Sequence, residues 1–221
     1  MDSQTPDLPA VIRALEQELT LPPGFITTLY QEDDWSFVIK SHALVEALLT
    51  FLLSAHVANH DVGSIFAFLD TSNPRTGKLA FAKAFGLLSP DARRFIRDLS
   101  ELRNKLVHNV SNVRFTFAEQ VAQLNKQTRR EWVQAFGYGL HAVGKARLGD
   151  LDAKAQQHLD ALVITEPKMA IMASVAWLAL AIFSRGQNKD MRRAIERLAE
   201  ILNDEYERKQ LANLAAIKTT Q

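Results

Sequence analysis

The chain has 221 residues, 47% of them apolar and 23% charged, with a formal net charge of +1. That length suits one generous domain with a sizeable core, and that charge is not the one of a strongly basic nucleic-acid binder. Nine glycines and seven prolines favour helix over sheet, and the lack of cysteine excludes disulfides, thiolate metal sites and a cysteine nucleophile, as suits a reducing compartment.

The first ten residues, MDSQTPDLPA, hold neither a basic stretch nor an apolar one, so no signal peptide is expected and the location implied is cytoplasmic. A first helix is predicted from Pro9 to Leu19, ended by Leu21-Pro22-Pro23-Gly24. Helical pattern resumes at Phe25 and, past Glu32-Asp33-Asp34, runs from Trp35 to about Val57. Leu44, Val45, Leu48, Leu49, Phe51, Leu52 and Leu53 make that helix apolar nearly all round, which predicts a central position. Residues 59–77 read as broken by Gly63, Asn73-Pro74 and Gly77, with a short apolar piece at Ile65–Leu69.

A helix follows from Lys78 to about Phe85. Ser89-Pro90-Asp91 then announces another: a serine cap, proline at the first helical position and an acid in the first turn. A loop is expected at residues 110–113, helices at Phe117–Leu124 and Thr128–Leu140, and a region loosened by Gly137, Gly139, Gly144 and Gly149. A helix over Leu151–Leu162 precedes an alanine-rich one from Pro167 to Phe183. Residues 169–184 are uncharged; at ~1.5 Å per residue they reach roughly 24 Å against ~30 Å of hydrocarbon, so a buried central helix is expected rather than a membrane span. A charged helix is expected from Asp190 to about Leu214. No stretch alternates as a strand would. The expectation is an all-α helical bundle with an additional C-terminal helix: residues 1–24 an N-terminal helix and linker, 25–185 the helical domain, 186–221 the charged helix.

Charge is unevenly spread. Residues 1–60 carry two basic and eight acidic side chains, whereas residues 91–130 carry nine basic and four acidic. In that basic stretch lies Arg103-Asn104-Lys105-Leu106-Val107-His108. Ala92, Phe95, Ile96, Leu99, Leu102 and Leu106 define the buried stripe of the helix that holds it. At ~100° per residue Arg103 falls about 40° from Leu99, inside the stripe; Asn104 falls about 140° away, and His108 opposite. A charge on an apolar stripe must be paired or serve a purpose. Glu46 is the one acid in the apolar helix, and it could reach Arg103 or pair with His42 one turn earlier. An imidazole can move protons near neutrality, and a guanidinium can hold a phosphate in bidentate fashion. Together they supply what attack of an RNA 2′-hydroxyl on its own phosphate needs, without metal. Because the two diverge around one helix, two protomers about a two-fold axis could bring both pairs into one cleft.

Arg103-Asn104-Lys105-Leu106-Val107-His108 resembles the signature of the HEPN superfamily: an arginine, a polar residue, a short spacer and a histidine. The resemblance implies a homodimeric, metal-independent endoribonuclease or RNA-binding protein of toxin or defence type, with Arg103, Asn104 and His108 as active residues. Glu46, Lys105 and Asn109 would support them. The alternative it implies is a non-catalytic MltR-like (mannitol operon repressor-like) transcription regulator or interaction module. Expected partners are a second copy, RNA, and an antitoxin or regulatory protein; no membrane, metal or cofactor is expected. No Gly-rich phosphate loop, GxSxG or HExxH occurs, and His42, His56, His60, His141 and His158 show no metal-ligand spacing with a carboxylate; His56 and His60 lie four apart, with Asn59 expected to end the helix between them. Trp132, Phe136 and Tyr138 could stack bases or belong to the core.

Overall fold

A computed structural model describes residues 8–57 and 60–183 of the chain; the helix expected at 190–214 lies outside the described residues. Eleven α-helices and one 3-10 turn make up the described residues, which hold no strand. The helices are α1 (Leu8–Glu18), α2 (Phe25–Leu29), α3 (Asp34–Val57), α4 (His60–Phe68), α5 (Lys78–Ala84) and α6 (Pro90–Val107). After the 3-10 turn (Val110–Arg114) come α7 (Phe117–Ala122), α8 (Lys126–Phe136), α9 (Tyr138–Leu148), α10 (Ala153–Thr165) and α11 (Pro167–Phe183).

Two helices without a polar side organise the rest. On α3, residues from Phe37 to Leu53 are buried on several faces, and α4, α5, α6 and α11 pack around it. On α11, 14 of 17 residues are buried, between α3, α8, α9 and α10. The uncharged stretch is thus a core helix, as expected. Each large aliphatic or aromatic side chain taken fully out of water there contributes about 1.5–3 kcal/mol. By length and composition α3 is the one described helix that could cross a membrane, yet 56% of its most apolar window is covered by the bundle. One continuous apolar core runs from Leu15 of α1 and Leu19 just past it to Phe183 of α11.

Polar side chains fix the joints. Glu16 is buried, and its two carboxylate oxygens accept from the Gly24 and Ile26 amides (2.9 and 2.8 Å), which caps α2 from α1. Asp34 accepts from the Phe117 amide (2.9 Å) and pairs with Lys168 (3.6 Å), so one carboxylate holds the starts of α3, α7 and α11 together.

The glycines depart from the sequence reading. α4 runs straight through Gly63, where a Cβ would stand 3.1 Å from Ser54 Oγ. α9 was not anticipated, and it runs through Gly139 and Gly144. A Cβ on Gly139 would lie 2.3 Å from the Ala173 carbonyl oxygen of α11. These glycines permit close helix contact instead of breaking helices. Ser174 Oγ completes the junction: it accepts from the Gly139 amide (2.9 Å), a free N–H of the first turn of α9, and lies within hydrogen-bond distance of the Phe136 and Ala170 carbonyls (3.0 and 2.9 Å).

Candidate functional site

The motif helix α6 starts as its sequence directs, with Ser89 Oγ accepting from the Ala92 amide (3.2 Å). Its stripe, from Ala92 through Leu99 to Leu106, is buried against α3 and α8. Arg103 emerges half-buried at the edge of that stripe, and its Nη1 donates to Asn104 Oδ1 at 2.9 Å. The long arginine stem thereby curls toward a neighbour that helical geometry alone sends elsewhere. His108 is the C-terminal cap of α6; its amide donates to the Asn104 carbonyl (3.3 Å) and its ring is exposed. Asn109 caps the 3-10 turn, its side chain accepting from the Ser111 amide at 3.0 Å. Lys105, exposed, donates to Gln120 Oε1 (3.1 Å), and its carbonyl accepts from Asn112 Nδ2 (2.8 Å). Val107, Val110 and Val113, 38%, 88% and 56% exposed, flank His108 along the chain with apolar side chains.

Glu46 takes the second of the two routes considered above. It stands 3.6 Å from His42 Nδ1 and 4.0 Å from Lys78 Nζ, and accepts from Thr71 Oγ1 at 2.5 Å; it forms no ion pair with Arg103. The hydroxyl proton of Ser100 goes to the Ile96 carbonyl (2.8 Å), so His42 Nε2, 3.1 Å away, donates to that oxygen. Burial holds His42 below the usual imidazole range; Glu46 opposes this, and the cations of Arg103 and Lys78 reinforce it. Lys78, 3% exposed at its side chain, is likewise held below the usual amine range by burial, against the pull of Glu46 and Asp70. This knot of His42, Glu46, Thr71, Lys78 and Ser100 lies behind Arg103 and packs α6 onto α3 and α5.

Cations on α6 and the 3-10 turn after it divide by position. Arg94 pairs with Asp91 (3.4 Å) and Arg97 with Asp98 (2.8 Å) and Glu101 (3.8 Å). Farther along, Arg103, Lys105 and Arg114 have no carboxylate within ion-pair distance among the described residues. The basic excess legible in the sequence is therefore unneutralised at the motif end of the helix. Trp132, Phe136 and Tyr138 are buried, the Trp132 ring tilted against Phe136 with centroids 4.3 Å apart, and belong to the core.

A concave region away from the motif was missed by the sequence reading. A cleft of about 730 Å³ lies between the start of α6 and helices α8 to α11. His141 Nε2 (α9) and Gln156 Nε2 (α10) both bond to Asp160 Oδ1 in its wall, at 2.9 and 2.8 Å. Tyr138 also lines it, its phenol pushed up to about 12 by burial and by Asp91, hence neutral. His141 and Asp160 are 19 residues apart on different helices, and only the α9–α10 packing joins them.

Comparison with known proteins yields no match: no family model, no curated protein and no solved structure is similar to this chain.

Proposed function

We propose that the chain is a metal-independent endoribonuclease that acts as a homodimer, with Arg103 binding the scissile phosphate, His108 transferring a proton and Asn104 orienting the guanidinium. The observation that carries this reading is Arg103 itself: half-buried, hydrogen-bonded only to an amide oxygen, and without a carboxylate partner among the described residues. A guanidinium in partial burial without a counter-anion is a receptor for one, and a phosphodiester fits its fork. His108 is exposed at the end of the same helix, within about one and a half turns. The apolar collar of Val107, Val110 and Val113 supports a pairing of two copies there, because burying it would bring two motif ends together.

The test is cleavage of RNA by the purified protein in EDTA. Wild type should cleave, while His108→Ala and Arg103→Ala should lower the rate by 10²-fold or more with an unchanged circular dichroism spectrum. Failure of wild type to cleave any RNA, or full activity in His108→Ala, would overturn the proposal. A non-catalytic interaction module is the second reading. The same exposed valines favour it, and it expects partner binding that survives His108→Ala.

A further inference from the structure

The cleft between α6 and α8–α11 is remote from the motif: Arg94 at its rim and His108 lie on one helix, separated by roughly 20 Å at ~1.5 Å per residue. Its volume of about 730 Å³ is that of a small-molecule site. Three features give it a chemistry. The first is Trp177. Past Lys168, α11 is buried everywhere except at Trp177 and Ala181, one turn apart, and both line the cleft. A partly exposed indole in a concavity is a stacking surface for a planar ring.

The second is Asp160. Its Oδ1 is held by His141 and Gln156, so the carboxylate is fixed in orientation, while no described residue donates to its Oδ2. A fixed carboxylate on the lining of the cleft, with a side chain 42% exposed and one oxygen without a donor, accepts from an amino group of a ligand. The third is Lys145 and Arg94. Lys145 is exposed and unpaired among the described residues, and Arg94 is tied only at 3.4 Å to Asp91. Two cations on the lining suit a phosphate.

From these we infer that the cleft binds a nucleotide whose base carries an exocyclic amino group, with the base on Trp177, the amino group at Asp160 and the phosphate between Lys145 and Arg94. This goes beyond the proposed cleavage and does not depend on it. The nucleotide could be free or part of an RNA strand.

Titration calorimetry of the full chain with AMP, CMP, GMP and UMP separates the outcomes. AMP, CMP or GMP should bind at least tenfold more tightly than UMP, which lacks the amino group. Asp160→Asn should erase that preference, while Lys145→Ala should weaken all four by severalfold. Trp177→Leu should abolish binding of whichever base stacks there, and Trp177→Phe should retain it and guard against a folding artefact. An oligoribonucleotide that competes better than its mononucleotide assigns the site to a strand; a weaker competitor assigns it to free nucleotide. No binding of any of the four, or binding indifferent to Asp160→Asn and Lys145→Ala, overturns the inference. His108→Ala should leave this binding unchanged, so failure here and failure of the nuclease reading are told apart.

Discussion

At the scale of single residues, the knot behind Arg103 has unequal members. Lys78 is buried with its nearest carboxylate only at 4.0 Å, so its attraction to Glu46 offsets little of what desolvation costs. Removing the ammonium is therefore mild, and removing its counter-charge is not. In thermal melts, Lys78→Met should change stability by less than about 1 kcal/mol, while Glu46→Ala, which leaves Lys78 unpaired and Thr71 without its acceptor, should cost roughly 2–4 kcal/mol. Equal losses would contradict this ranking. His42 adds a pH dependence. Its folded-state titration lies below the ~6.5 of an unfolded imidazole, so the unfolded chain binds more protons below that pH. Stability should be full above about pH 6.5 and should decline as pH falls beneath it, with a smaller slope in His42→Gln; chemical denaturation at several pH values reads this. Arg103's place on the buried stripe was legible from angular spacing alone. Glu46's partners were not, because Lys78 reaches it from the first residue of α5 and Thr71 from the loop before that helix, whose fold rests on Asp70 and Asn73 side chains accepting from the following amides.

Among elements, the informative departures are the glycines. The sequence shows a residue that disfavours helix, and propensity alone reads it as a break. What propensity cannot see is a second helix close enough to forbid a side chain. Gly139→Ala should destabilise by about 3 kcal/mol, since its methyl would sit 2.3 Å from the Ala173 oxygen and α9 would have to move off α11. At the same contact, Ser174→Ala leaves the Gly139 amide buried without an acceptor and should cost about 1–3 kcal/mol. Because the two share one junction, their double variant should lose less than the sum in urea titrations; strict additivity would show that the junction is not one unit. Long periodic elements such as α3, α6 and α11 were legible with ends good to a residue or two. The short pieces around Gly63 and Gly137 were not, for their helicity comes from tertiary packing.

For the molecule as a whole, the apolar collar beside His108 is the feature most open to test. Val110 is 88% exposed, so Val110→Asp should leave the melting temperature of the monomer unchanged. In the proposed dimer it would bury two like charges at the seam, and light scattering should then give half the mass of the wild type, with RNA cleavage lost as well. A wild type monomeric at all concentrations would refute the pairing. Helical class and the motif could be read from spacing and pattern; the cleft could not, since five helices contribute to it and no short stretch of sequence holds its parts together. The packing of α11 against α3 has one more consequence. Phe51 and Phe183 touch at 4.8 Å, although more than a hundred residues of chain separate them. Until α11 leaves the ribosome, α3 has an uncovered oily flank and no way to hide it, so nascent chains stalled short of residue 167 should be the species that chaperones hold, and release should coincide with the arrival of that stave.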